Sequence, residues 1–424
     1  MDNYFYRCFE CRREFPSKDI EGNLVYLCPF CGSADKNFPL KGVLLIEYDY
    51  SSLKKKLNRK SFLEFQPGEF WKYPQLWPLK FTHASYNEPF DGIHISDLQK
   101  IHLNKNPLLS LRYEGKDIQI FDDTKNPTYS FKDRASIIVA LKAVQKKINS
   151  ISAASTGNAG SSLAGICASL GLTSRIFVPE SIPEPKRIQI QAFSGEIYLV
   201  KSDYDAAFDL CLEISKRKNW FNRNTAYNPL TIEGKKSAAF DIFISSGGSV
   251  PDLIFIPVGD GVIYSGIFKG FKELFDLGFI EKLPVLIAVQ AKGSNAMIRF
   301  LKSKVFEFKK PKTVADSISA GAPRNLFMAS KFANECGGFG IEVTDIEILE
   351  AQKESAQQFG LLVEPSCAST LAAYKKLLFS EKIEKHQKVL LLFTGSGLKD
   401  IKSLMNWNPA AISKTPEDWL EALS

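Results

Sequence analysis

From Gly115 to Asp400 the chain alternates short apolar runs with helix-periodic segments, and no other feature narrows its fold as far. "KDIQIFDD", "SISAAS", "SRIFVP", "EIYLVK", "PDLIFIPVG", "PVLIAVQA" and "KVLLLF" have the length and residue types of buried strands. "EPKRIQIQAF", "YDAAFDLCLEISKR" and "PSCASTLAAYKKLL" supply helices among them. A helix between two strands carries the chain back to the end where the first began, so neighbouring strands run parallel. The expectation is an α/β protein with mainly parallel sheets flanked by helices. Ligands in such sheets sit beyond the carboxyl ends of the strands. Three Gly-rich loops, after Ser155, Val258 and Phe393, open at such ends.

The 424 residues allow two or three domains, and 45% hydrophobic with 24% charged residues is the balance of a soluble globular chain. No apolar run reaches the length of a bilayer span, so no membrane partner is expected. "MDNYFYRCFECRREF" lacks the apolar centre and small-residue cleavage site of a secretion signal, which makes the cytoplasm the expected location. The net charge of +7 gathers in knots such as "LKKKLNRK" and "KSKVFEFKKPK". Knots of this kind are ordinarily solvated faces, so a nucleic-acid partner is not expected. A mild positive field equally suits a small anionic substrate. A homo-oligomer is compatible with this composition and is not specified by it.

Four of the eight cysteines form two Cys-x-x-Cys units, "CFEC" (Cys8, Cys11) and "CPFC" (Cys28, Cys31), with sixteen residues between them. Each unit offers two thiolates from one tight turn, and four thiolates complete a tetrahedral zinc site. Gly32 helps the chain turn over the metal. Two disulfides would fit poorly with a cytoplasmic chain, and chance seldom repeats this spacing. A zinc ribbon over residues 1–38 is expected, and four cysteine ligands leave no open position for catalysis.

"NPTYSFKDRAS" (Asn126 to Ser136) places Lys132 where a helix begins. Ser130 reads as its N-cap and Asp133 as a favourable first-turn residue, whereas a first-turn lysine opposes the helix dipole. An ordinary lysine is a solvated one. Here the position depresses the pKa and favours a neutral, nucleophilic amine. Further on, "PVGDGVIYSG" puts small residues where a strand gives way to a helix, and backbone N–H groups at such a turn bind phosphate. It lacks the Gly-Lys-Ser/Thr of a Walker loop and the spacing of a dinucleotide fingerprint. Asp260 inside it must turn away from a phosphate or offset a cation. A lysine together with a phosphate cradle is what pyridoxal phosphate requires.

The order and wording of six segments resemble the threonine synthases, within the pyridoxal-phosphate enzymes of the tryptophan synthase β fold (fold type II). They are "NPTYSFKDRAS", "ASTGNAGSSLA", "NPLTIEGKKSAAFDI", "PVGDGVIYSGIFKGFKEL", "VEPSCASTLAA" and "LFTGSGLKD". The resemblance runs from about Glu69 to Asp400. It implies that Lys132 holds the cofactor covalently and is the catalytic residue. Asn158 would bond the ring hydroxyl, Gly259, Asp260, Gly261, Val262 and Ile263 would cradle the phosphate, and Thr394 would face the pyridine nitrogen. Ser155 and Thr156 would hold the substrate carboxylate. The implied reaction converts O-phospho-L-homoserine and water into L-threonine and phosphate.

Three positions depart from the family. Tyr129 stands where glycine is usual, Ser396 where histidine is frequent, and Thr231 where many members carry a phosphate-gripping arginine, with Lys235 and Lys236 nearby. A related lyase or β-replacement enzyme, such as a serine/threonine dehydratase or a phosphoserine-using synthase, is the alternative. The implied architecture has a large cofactor domain (39–130 and 236–424), a small mobile domain (131–235) and the ribbon (1–38). Asp133 and Arg134 read as a helix-start cap and a surface pair, and Glu364 as a capping carboxylate, with substrate contact as its alternative.

Overall fold

The computed structural model describes residues 3–82, 93–155, 157–182, 184–202, 204–408 and 411–424. Its larger sheet has six strands in the order Phe339–Val343, Val285–Ala291, Leu253–Pro257, Val389–Phe393, Lys116–Asp122 and Leu108–Tyr113. All pairings are parallel except the last, where a tight turn at Glu114 and Gly115, both with positive φ, folds the edge strand back. A sheet covered on both faces is apolar at successive positions. Alternate residues therefore feed two cores. Ile254, Ile256, Leu390 and Leu392 join Ile137 and Phe240 on one side. Phe255, Leu391 and Phe393 join Leu371 and Tyr374 of the helix Pro365–Phe379 on the other.

The smaller sheet is fully parallel, in the order Glu196–Val200, Thr173–Pro179, Ser150–Ala154 and Phe221–Asn222. Helices Asn158–Leu170, Glu184–Ala192 and Tyr204–Lys218 connect its strands.

At the N-terminus, Tyr4–Cys8 pairs antiparallel with both Glu14–Pro16 and Leu44–Tyr48. The run "GVLLIEYDY" thus supplies the third strand of this sheet, which continues beyond residue 38. The module is welded to the rest of the chain. Glu21 accepts hydrogen bonds from the hydroxyls of Tyr4 (2.6 Å) and Tyr6 (3.0 Å) and pairs with the buried Lys142 at 2.9 Å. The aromatic stretch Glu69 to Phe81 makes two 3-10 turns that bury Phe70, Tyr73, Leu76 and Trp77.

Helices Lys132–Gln145, Leu230–Ser245 and Val262–Asp276 stack closely because glycines sit at their crossings. A Cβ at Gly234 would lie 2.2 Å from the Arg134 carbonyl oxygen, and one at Gly266 would lie 2.5 Å from Lys235 Cβ. These crossings fix the backbone of Lys235 beside the starts of the other two helices.

Charge is buried here as well as apolar surface. Arg134 is enclosed, with Nε and Nη2 on the Asp123 carboxylate (2.5 and 2.8 Å) and Nη1 on Asp241 (2.6 Å). Asp133 is buried too and accepts the Thr128 N–H (2.7 Å) and hydroxyl (2.5 Å). The surface pair expected from the sequence is therefore replaced by two interior anchors. A second buried cluster joins Lys236 and Lys269 to Glu233 and Glu273, with the Tyr48 hydroxyl on Glu233.

Candidate active site

The carboxyl ends of the strands open onto a cavity of about 700 Å³. Lys132, Ser155, Asn158, the whole turn Gly259–Ile263 and Thr394 line this single cavity, so the crossover topology gathers segments far apart in sequence. Thr156 lies outside the described residues.

Lys132 is the first residue of its helix. The chain before it is zipped to the turn after Phe393. Phe131 N–H donates to the Thr394 carbonyl (2.9 Å), Ser396 N–H donates to the Tyr129 carbonyl (3.0 Å), and Ser130 bridges Gly395. Ser130 does not cap the helix: Phe131 holds the cap position, and the Ser130 hydroxyl is buried with no partner among the described residues. The Lys132 amine has no hydrogen bond or ion pair among the described residues. Burial pushes its pKa down and Arg223 adds to this, against the opposing pull of Glu364 and Asp260. Desolvation disfavours the ammonium form, which leaves a nucleophile.

Across the cavity, Gly261 (φ +84°) turns the chain into the helix Val262–Asp276 without a side-chain cap. Backbone N–H groups of residues 259 to 264 have no acceptor among the described residues. Such a run is an anion seat. Asp260 does not compete for it, because its carboxylate accepts Arg324 N–H (3.1 Å) and its carbonyl accepts Asn325 N–H (2.9 Å). An unpaired amine and an unpaired N–H run in one cavity fit pyridoxal phosphate.

Thr394 is buried beside Cys367, whose Sγ accepts the Thr394 N–H at 2.9 Å and lies 3.5 Å from its hydroxyl. Burial pushes the Cys367 thiol up to about 12, so this neighbour stays uncharged. Asn158 donates through Nδ2 to both oxygens of Glu364 (3.2 and 2.9 Å). Glu364 also accepts the hydroxyls of Ser317 (3.0 Å) and Ser366 (2.5 Å). The carboxylate thus holds Asn158, a residue of the cavity wall, and makes no cap to its helix, contrary to the sequence expectation. Ser155 Oγ accepts Gly157 N–H (3.3 Å) and Gly160 N–H (3.1 Å) while its own proton remains available to donate.

Thr231 does not line the cavity. Its buried hydroxyl donates to the Asn228 carbonyl at 2.7 Å. Lys236 belongs to the interior charge cluster, whereas Lys235 and Arg223 reach the cavity. Sequence reasoning assigned Arg223, Ser317 and Arg324 no role. Arg223 had a usable signal: it directly follows the strand Phe221–Asn222, at a carboxyl end.

The four N-terminal cysteines converge away from this cavity, with their sulfurs within 4.8 Å of one another. Cys8 and Cys31 sulfurs are 3.4 Å apart, and those of Cys11 and Cys28 are 3.6 Å apart. A tetrahedral zinc with sulfurs at about 2.3 Å has edges of about 3.8 Å. The spacing fits that ion.

The family model described as pyridoxal-phosphate dependent enzyme matches residues 100–395. A threonine synthase of Methanocaldococcus jannaschii is 31% identical over 93% of this chain and 92% of its own length. One from Methanosarcina acetivorans is 30% identical over 95% of this chain and 94% of its own. Among solved structures, maize serine racemase superposes with a TM-score of 0.64 at 17% identity, covering 76% of this chain and 94% of that one. At that identity the likeness speaks for the fold alone. With these matches and the lysine and phosphate-type turn on one cavity, the chain belongs to the pyridoxal-phosphate dependent enzymes, within the threonine synthase family.

Proposed function

We propose that this chain converts O-phospho-L-homoserine and water into L-threonine and phosphate, with pyridoxal phosphate held at Lys132. One observation carries the reading. A neutral-leaning amine, a run of unpaired N–H groups and the Thr394 hydroxyl share one cavity. The relatives at about 30% identity bear the same name over nearly their full length.

The cofactor, when bound, supplies an electron sink for charge left at the substrate α-carbon. The residues supply position and protons. Gly259 to Ile263 hold the cofactor phosphate on backbone N–H groups. Asn158 addresses the ring hydroxyl, steadied by Glu364, and Thr394 offers the ring nitrogen a hydroxyl. A hydroxyl, unlike a carboxylate, does little to keep that nitrogen protonated, which favours elimination and replacement over transamination. Ser155 and Thr156 hold the substrate carboxylate. Lys132 accepts the α-proton and returns protons as phosphate leaves the γ-carbon and water adds at the β-carbon.

Within the segment 131–235, the smaller sheet and its connecting helices act as a small domain that closes over substrate, excluding water from the cavity. Zinc in the Cys8, Cys11, Cys28 and Cys31 cluster is structural, and the sulfur spacing supports it. None of the eight cysteines is paired in a disulfide, which supports a cytoplasmic setting. Among the described residues no helix is long and apolar enough to cross a membrane. Exposed Leu398, Ile401 and Met405 support self-association into a homo-oligomer.

Incubating the holoenzyme with O-phosphohomoserine tests the reaction. Threonine and phosphate are expected in equal amounts. Neither product forming, despite bound cofactor, refutes it, and preferred keto-acid formation from serine or threonine would establish a dehydratase instead.

A further inference from the structure

A substrate with a carboxylate and a phosphate needs a second anion seat, distinct from the N–H run that suits the cofactor. Full positive charge is the natural partner for a phosphate dianion in a partly desolvated cavity. Position 231, where an arginine would supply it, holds a threonine whose hydroxyl is spent on its own helix start.

Positions 231 and 235 lie one turn apart on the same helix face. Lys235 is buried, lines the cavity and makes no ion pair among the described residues; its Nζ donates to the Thr225 hydroxyl at 3.1 Å. Gly234 and Gly266 let two helices close on its backbone, so the side chain has little freedom except toward the cavity. Arg223 projects from the end of the neighbouring short strand, with Nε on the Ser136 hydroxyl at 3.2 Å. Its strand end is itself pinned, since Asn222 N–H donates to Tyr26 of the N-terminal module at 2.8 Å.

We propose that Lys235 and Arg223 together grip the phosphate of the substrate, in place of an arginine at position 231. The proposal rests on the phosphate-releasing reaction proposed above. It accounts for an otherwise costly arrangement: burial pushes the Lys235 pKa well down, and the nearby charges of Lys132 and Arg223 push it further. A dianion seated between Lys235 and Arg223 offsets that cost. Lys186, which also lines the cavity, already has a carboxylate partner in Asp316.

The test compares wild-type, Lys235→Gln and Lys235→Arg holoenzymes. Charge-assisted hydrogen bonds of this kind are worth about 10- to 100-fold in affinity. Lys235→Gln should raise the KM for O-phosphohomoserine by that factor, weaken inorganic phosphate binding measured calorimetrically by a similar factor, and leave the cofactor dissociation constant unchanged. Lys235→Arg should restore both. An unchanged KM and phosphate affinity in Lys235→Gln overturns the proposal. So does a matching loss of cofactor affinity, which would place Lys235 at the cofactor phosphate. If the wild type turns over no O-phosphohomoserine, the functional reading fails, while the calorimetric arm still reports on the anion seat.

Discussion

Replacing Arg134 by methionine removes a guanidinium but leaves its two carboxylates inside the protein. Asp123 loses both Nε and Nη2 bonds, and Asp241 loses the Nη1 bond at 2.6 Å. Asp123, Arg134 and Asp241 are all buried, so water cannot replace what is lost. Breaking one buried pair from one side costs about 3–5 kcal/mol. Two carboxylates share this arginine, so Arg134→Met should lose at least about 4 kcal/mol, read from urea unfolding at pH 7.

The pH dependence has a definite sign. Burial already holds the Asp241 carboxyl above its usual range, against the pull of Arg134. Without that pull its folded pKa rises further. A raised carboxyl pKa gives stability that is full below the unfolded value of about 3.9 and lost as pH rises through the folded value. The deficit of Arg134→Met should therefore be greatest at neutral pH and shrink toward pH 4. Adding Asp123→Asn and Asp241→Asn should recover most of the loss, because a neutral interior replaces stranded charge. A loss below about 1 kcal/mol, or a deficit that grows on acidification, would refute the reasoning.

Other perturbations reach the site and its supports. Lys132→Ala should abolish labelling by pyridoxal phosphate and borohydride and lower turnover by about 1,000-fold or more, measured by peptide mapping and phosphate release; label persisting on another lysine would contradict this. Cys11→Ser should bind zinc about tenfold more weakly or worse, by metal analysis after dialysis. It should also raise KM, because the module holds Arg324 through Leu40 N–H (3.1 Å) and the Phe38 carbonyl (3.4 Å). Tyr129 is exposed with φ +63°, a conformation costing a non-glycine residue about 1–2 kcal/mol. Tyr129→Gly relieves this and gives back about 0.4–1 kcal/mol in unfolded-chain entropy. A net gain of up to about 1.6 kcal/mol in urea unfolding is expected, and a clear loss would show that the tyrosine ring contributes packing.

What was legible from the sequence alone was local. Strand and helix periods follow from side-chain repeats within a dozen residues, so the Lys132 helix, the turn after Val258 and the parallel strands could be read directly. Two Cys-x-x-Cys units likewise carry the convergence of their four sulfurs in their spacing. Tertiary structure alone decided which charges are interior and which face the cavity. Nothing local distinguishes Lys235 from Lys236, yet one enters the cavity and the other a buried cluster with Glu233. Glu364 has the sequence context of a cap but faces Asn158, 206 positions away. Burial is set by what packs on a residue from elsewhere in the chain, and helix crossings at Gly234 and Gly266 exist only once the sheets have formed.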